Sequence, residues 1–318
     1  MAEYREPTDR SGLRAELRHM LEEADASDDP RTEDLSPSEA RIAAEASLIA
    51  AWGDKDAIDD VEDLVITDRA GDLRARLYRA GENAGTILFF HGGGWVLGSI
   101  DTHDGPLRAM VKAARANILS VEYRKAPEAP YPAALQDAER ALQWLREIGP
   151  SKGLSAERII VAGDSAGATI SAVLSIRARQ LNIALDGQVL VYPATDLTSG
   201  TASRDRFANG FLLDRATLDW YVAHYLSAGT APGDPGVSPL LTEDLCGLAP
   251  ALLVTADHDP LRDEGRAYAQ RLIAAGNDVS YVEWRGVTHG FFNMGARTPE
   301  ARRLIARIGT WVNQIWQA

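Results

Sequence analysis

Hydrophobic positions from about Val61 onward fall into short, nearly continuous runs, unlike the helically spaced apolar positions that precede and separate them. Runs of this kind bounded by turn formers read as strands buried on both faces, the pattern of a parallel sheet. Residues 65–67 and 73–78 are predicted to pair antiparallel through a turn from Asp68 to Gly71, and further strands are predicted at 86–90, 118–123, 159–162, 189–192, 252–255 and 279–284. Helical spacing at 133–147 and 166–180 supplies the crossovers that parallel neighbours need. The alternation predicts an α/β fold with a mostly parallel central sheet flanked by helices. Thr298-Pro299-Glu300 opens a final helix, in which Leu304, Ile305, Ile308, Trp311, Val312 and Ile315 share one face.

Two helices precede this region. Leu13, Leu17, Met20 and Leu21 recur at helical spacing, and Ser36-Pro37-Ser38-Glu39 has the form of a capping box with Pro at the first helical position. Ala26-Ser27-Asp28-Asp29-Pro30 breaks the pattern between them. Residues 1–55 are accordingly set apart from a main domain at 56–318. A stretch at about 198–228 interrupts the alternation and is too long for a crossover. It carries Phe207, Phe211, Leu212, Leu213, Trp220, Tyr221 and Tyr225. Core packing for two helices and the underside of a lid are both open readings of these large side chains.

Composition narrows the partners. A chain of 318 residues with 45% hydrophobic and 25% charged positions suits one globular domain with an attached subdomain. Its net charge of −13 repels nucleic-acid phosphates and anionic membranes, so neither nucleic-acid binding nor stable membrane association is expected. No run approaches the roughly 18 apolar residues of a membrane span. Met1 to Gly12 is polar and lacks the pattern of an export signal, which makes the cytoplasm the expected compartment. The single cysteine, Cys246, cannot form an internal disulfide and is expected to be a small buried hydrophobe.

Gly163-Asp164-Ser165-Ala166-Gly167 matches the G-x-S-x-G elbow, with a predicted strand running in and a predicted helix running out. A serine at so tight a turn needs glycine on both sides, because larger side chains would collide with the neighbouring elements. His91-Gly92-Gly93-Gly94-Trp95 follows another predicted strand, where several backbone N–H groups can turn toward one point and stabilise an oxyanion. A nucleophilic serine requires a base, and the base a carboxylate that fixes its tautomer. His289, in a loop after the 279–284 strand, is the candidate base. His19, His91, His103 and His224 lie elsewhere in the order, and His258 reads as a local structural group. Asp259, held before Pro260, is the favoured acid over Asp257, Asp263 and Glu264, the last two reading as first-turn residues that complement a helix dipole.

With these pieces in order the chain resembles the hormone-sensitive-lipase-like microbial esterases of the α/β-hydrolase fold. The resemblance runs from about Val61 to the C-terminus and rests on residues 91–95, Tyr123-Arg124-Lys125-Ala126-Pro127-Glu128, residues 163–167, Asp259-Pro260-Leu261-Arg262-Asp263-Glu264 and His289-Gly290-Phe291. It implies Ser165 as nucleophile, His289 as base, Asp259 as acid, and the N–H groups of Gly93, Gly94 and Ala166 as the oxyanion hole. It also implies a cap built from the N-terminal helices and the 198–228 insert, over a pocket for which Trp95, Phe207, Phe211, Leu212 and Trp220 are candidates. The activity implied is hydrolysis of short- to medium-chain esters of small molecules, with no metal and no cofactor, in a chain that can form a homodimer. An amidase or peptidase using the same triad and a non-catalytic ligand receptor are the rival expectations. Lys125 stands where the family usually has Leu, and Ala168 where Gly is common.

Overall fold

The computed structural model describes residues 9–81, 84–198 and 200–317, so the first eight residues of the expected N-terminal segment lie outside the description. Eight strands form one sheet: β1 (Val61–Asp68), β2 (Gly71–Tyr78), β3 (Thr86–Phe90), β4 (Asn117–Val121), β5 (Ile159–Asp164), β6 (Gly187–Val191), β7 (Ala251–His258) and β8 (Val279–Thr288). Their spatial order is 1-2-4-3-5-6-7-8, with β2 antiparallel to β1 and β4 and all pairs from β4 to β8 parallel. Each predicted run lies in or overlaps one of these strands. At the sheet edge, β1 extends well beyond its apolar core, and Val65 faces solvent there.

Alternation along the strands explains why the runs are apolar throughout. Ile87 and Phe89 of β3 join Ile118, Ile160 and Val189 on one face, against α3 (Ile100–Ala114) and α9 (Pro299–Gln317). Leu88 and Phe90 join Leu119, Val121 and Val161 on the other, against α4 (Ala133–Glu147) and α5 (Ala166–Gln180). Farther along, Leu190 and Leu253 pack under Tyr268 and Leu272 of α8 (Arg262–Ala274). Each such side chain contributes about 1.5–3 kcal/mol on full burial. A polar residue on either face would forfeit that burial. The parallel strands all point their C-terminal ends to one edge, which is where ligands bind in sheets of this kind.

Above that edge lie the elements set apart in the sequence. They are α1 (Ala15–Asp25), α2 (Pro37–Trp52) and, in the insert, α6 (Ala202–Arg206) and α7 (Arg215–Tyr225). The capping box at α2 forms: Ser36 Oγ accepts the Glu39 N–H at 3.4 Å and the Glu39 carboxylate accepts the Ser36 N–H at 3.0 Å. Arg41 on α2 donates to the Val96 carbonyl at 2.8 Å and the Ala126 carbonyl at 2.7 Å, and pairs with Glu128, whose carboxyl its hydrogen bonds hold down at about 2. These bonds tie α2 to the loops beneath it.

The insert is tied down by a residue whose position departs from the sequence expectation. Glu264 is wholly buried rather than a surface group complementing the α8 dipole. It accepts the N–H groups of Thr195 and Asp196 at 2.9 and 3.2 Å and the Arg204 guanidinium at 2.8 Å. Nothing in the local sequence announces a partner 60 residues away in the insert. Cys246 also differs: it is exposed, beside Asp244, which pushes its thiol pKa up.

Candidate active site

Ser165 sits between β5 and α5 with φ 52° and ψ −121°, a backbone region that a non-glycine residue holds only under constraint. Its N–H donates to the Val191 carbonyl at 2.8 Å, and its own carbonyl accepts the Thr169 N–H at 3.0 Å, so both sides of the turn are fixed. Gly163 and Gly167 are required by space. A methyl carbon at Gly163 would meet the Gly167 backbone at 2.4 Å, and one at Gly167 would meet the Phe90 carbonyl oxygen at 1.9 Å.

His289 follows β8 directly and Asp259 follows β7, so two adjacent parallel strands deliver them to the same edge. His289 Nε2 lies 2.8 Å from Ser165 Oγ, and its Nδ1 lies 2.8 Å from Asp259 Oδ2. The Asp259 carboxylate is fully buried, and its other oxygen accepts the Leu261 N–H at 2.8 Å. The Tyr192 ring packs against the imidazole, with centroids 4.4 Å apart. Three groups separated by up to 124 positions thus form one line of hydrogen bonds. His258 is a local group instead, its Nδ1 2.7 Å from Asp257 Oδ1.

Beside Ser165 runs the glycine loop. Gly93 (φ 120°) and Gly94 (φ 58°) take conformations that glycine adopts without strain, and among the described residues their N–H groups meet no protein acceptor. The Ala166 N–H opens α5, where first-turn amides have no partner within the helix. Below the loop His91 is buried, stacked on Tyr123 with centroids 4.3 Å apart, and burial pushes its pKa down to about 3. It stays neutral over the working range, and its Nδ1 lies 2.8 Å from the Gly92 carbonyl.

A cavity of about 280 Å³ opens over Ser165 and His289. Ala44, Leu48 and Ala51 of α2 and Leu213, Leu218 and Val222 of the insert supply much of its apolar wall. Of the five expected pocket residues, Trp95 and Leu212 do line it. Phe207, Phe211 and Trp220 do not. Phe207 and Phe211 are buried against Leu13 and Leu21 and flank His258, because the N-terminal segment presents an apolar face of its own there. Trp220 turns from the cavity and packs at a tilt against His224, with centroids 4.4 Å apart, leaving Tyr221 to face the Gly94 position. Lys125 pairs with Glu122 under the loop, and Ala168 is buried among apolar residues near β6, so neither departure from the family pattern lies among the reacting groups.

The family model for the alpha/beta hydrolase fold matches residues 87–293, which span the glycine loop, the elbow and both later site loops. The chain belongs to the α/β-hydrolase family. Within it, the chain falls in the hormone-sensitive-lipase-like branch. It is 45% identical over 244 residues to the carboxylic ester hydrolase LipN of Mycobacterium tuberculosis, a match covering 74% of this chain and 65% of that protein. It is 38% identical to an ethyl acetate hydrolase of Pseudomonas putida, over 84% of this chain and 86% of that one. Among solved structures, an α/β hydrolase from the metagenome of Lake Arreo, Spain, superposes with a TM-score of 0.94 at 35% identity, covering 97% of this chain and all of the other. A hyperthermophilic esterase from the archaeon Pyrobaculum calidifontis gives 0.90 at 35% identity, covering 96% of this chain and all of the other.

Two parts of this hydrolase site escape sequence reasoning. Arg41 reaches the loop region from another segment, and nothing in its helical context marks it. Asp164 lies inside the elbow motif, but its partners Gly92, His103 and Tyr192 come from the glycine loop, α3 and the segment just after β6. Among the described residues no helix is long and apolar enough to cross a membrane.

Proposed function

We propose that this hydrolase is a serine carboxylesterase in which Ser165 is the nucleophile, His289 the base, Asp259 the orienting acid, and the amides of Gly93, Gly94 and Ala166 the oxyanion hole. The observation that carries the reading is the unbroken 2.8 Å and 2.8 Å contact line from Ser165 through His289 to Asp259, set beside amides without protein acceptors. Serine alone is barely ionised near neutral pH, and this line gives its proton a destination.

As the Oγ attacks an ester carbonyl, the proton passes to His289 Nε2, and Asp259 stabilises the imidazolium. The carbonyl electron pair moves to oxygen, where the loop amides receive it. Collapse breaks the bond to the alcohol, which leaves with the proton from His289. Water, deprotonated by the same imidazole, then releases the acid and restores the serine. Every proton is accounted for by one histidine.

The apolar lining and 280 Å³ volume support a preference for compact, short- to medium-chain acyl groups. Cover comes from α2 and the 198–228 insert, which act as a cap; α1 contributes no residue to the lining and serves to anchor the insert. The cytoplasm is the compartment that fits a chain with one exposed, unpaired cysteine. Hydrolysis of p-nitrophenyl esters of two to sixteen carbons tests the reading. The butyrate ester should be turned over far faster than the palmitate, and Ser165→Ala should abolish both; palmitate preference, or activity surviving Ser165→Ala, contradicts it.

A further inference from the structure

A second buried polar cluster lies behind the reacting groups, centred on the carboxylate of Asp164. Asp164 ends β5, and its side chain is almost fully shielded beneath the glycine loop. Its Oδ1 accepts the Gly92 N–H at 2.8 Å and lies 3.0 Å from His103 Nε2. Its Oδ2 accepts the Tyr192 hydroxyl at 3.3 Å. His103 is held in turn by the Thr102 hydroxyl at 2.9 Å and faces the Asn293 amide at 3.0 Å.

Each contact reaches a different working part of the site. Gly92 immediately precedes the two proposed oxyanion donors. The Tyr192 ring is the one that packs against His289, and Asn293 lies in the turn just after that histidine. The loop is seated directly on the carboxylate, since a methyl carbon at Gly92 would fall 2.5 Å from Asp164 Oδ2. Burial opposes charge on this carboxyl, yet His103 and the Gly92 N–H outweigh it and keep its pKa below the ordinary range. Apolar residues of similar volume often replace buried ion pairs without loss of stability, so packing alone does not account for such a group. Aim does. Hydrogen bonds to a charged acceptor are roughly twice as strong as neutral ones, and misplacement of a reacting contact by about 1 Å costs roughly a hundredfold in rate.

We propose that Asp164 is the positioning residue of the oxyanion hole, its carboxylate fixing the Gly92 peptide and thereby the aim of the Gly93 and Gly94 amides. This rests on the assignment of those amides in the proposed function. Asp164→Asn in the full chain removes the charge while keeping one acceptor. It should lower kcat for p-nitrophenyl butyrate by about 10- to 100-fold, less than the roughly 10²- to 10³-fold cost of losing an oxyanion donor outright because the donors remain and only their aim is lost, with KM changed less than about twofold. The Ki of a trifluoromethyl ketone, which forms an anionic hemiketal on the serine, should rise in parallel with the fall in kcat/KM. A purely structural role would lower the melting temperature and leave that inhibitor's Ki in place.

Retention of kcat within about twofold, a loss confined to KM, or an unchanged Ki would overturn the proposal. Should Asp164→Asn fail to fold, Tyr192→Phe carries the same test, with a severalfold kcat loss and a parallel rise in Ki expected, and no change in either overturning it. Fluorophosphonate labelling of the unmodified chain separates the two levels. An adduct on Ser165 together with an unaffected Asp164→Asn removes this inference alone, whereas no adduct removes the reading beneath it.

Discussion

Replacing Gly167 by alanine probes how tightly α5, which follows the proposed nucleophile, is wedged against the strand that leads into the loop of the proposed oxyanion donors. The added methyl carbon lands 1.9 Å from the Phe90 carbonyl oxygen and 2.7 Å from that of His91. Ordinary contact begins near 3.4 Å, so the strand end and the helix must separate by the difference, about 1.5 Å. Both neighbours of this contact are stiff. Phe90 is paired to Gly163 across the sheet, and α5 is buried along most of its length, so the displacement passes along the chain toward Gly93 and Gly94. Loss of one aimed oxyanion donor costs about 10²- to 10³-fold in kcat, and that is the fall expected for Gly167→Ala. Overpacking of this kind also costs about 1–3 kcal/mol of stability, which lowers the melting temperature by a few degrees in a chain of this length. Steady-state hydrolysis of p-nitrophenyl butyrate beside thermal melting by circular dichroism measures both. A variant with kcat within threefold of the parent and an unshifted melt would refute the claim that helix and loop are in hard contact.

The buried pair of Arg204 and Glu264 gives an asymmetric prediction. Arginine cannot shed its charge whereas the carboxyl can take up a proton, so Glu264→Gln, which mimics the protonated acid and keeps an acceptor for Arg204, should change stability by less than about 1 kcal/mol in urea denaturation at pH 5, a loss of about 3 kcal/mol or more there contradicting the reading. Burial pushes the Glu264 carboxyl up to about 7, against the pull of Arg204. Folding therefore takes up a proton between an ordinary value of 4.5 and about 7, and this group makes stability fall as pH rises through that window. Arg204→Met should consequently cost less at pH 5, where the carboxyl is neutral, than at pH 8; equal costs would refute this. At the cavity mouth, Leu212 holds φ 78° while half-exposed. Leu212→Gly trades about 1–2 kcal/mol of backbone strain for a similar loss of burial, so stability should stay within about 1 kcal/mol. Bulkier esters should meanwhile gain in kcat/KM relative to acetate, and an unchanged ratio across the ester series would count against Leu212 as a gate.

What the sequence made legible follows from how local each signal is. The strands of the sheet core could be read because burial on both faces makes a continuous apolar run, which few other structures require. The two glycines of the elbow and the capping box at Ser36 carry their partners within a few residues, so they too could be read. Helix α3 is less plain: Gly105 and Pro106 lie in its middle, and Gly105 is there to admit Trp52 from α2. The aromatics of the 198–228 insert show the limit. Phe207, Phe211 and Trp220 are as large and apolar as true pocket residues; the first two are claimed by Leu13 and Leu21, whose proximity no spacing encodes, while Trp220 meets His224 one turn along α7, a spacing that names the neighbour but not which face of the helix meets the cavity. Glu264 and Asp164 were hidden likewise, since each is charged in the sequence and buried in the fold by partners tens of positions away.

Peptide mass spectrometry of the covalent fluorophosphonate adduct reads out the nucleophile itself, because the reagent needs an activated serine but no particular ester. One adduct per chain is expected, on the peptide containing Ser165, with labelling slowed about a hundredfold or more by His289→Ala. An adduct on a different serine, or labelling at Ser165 that proceeds at the same rate without the imidazole, would contradict the assignment of Ser165 and His289.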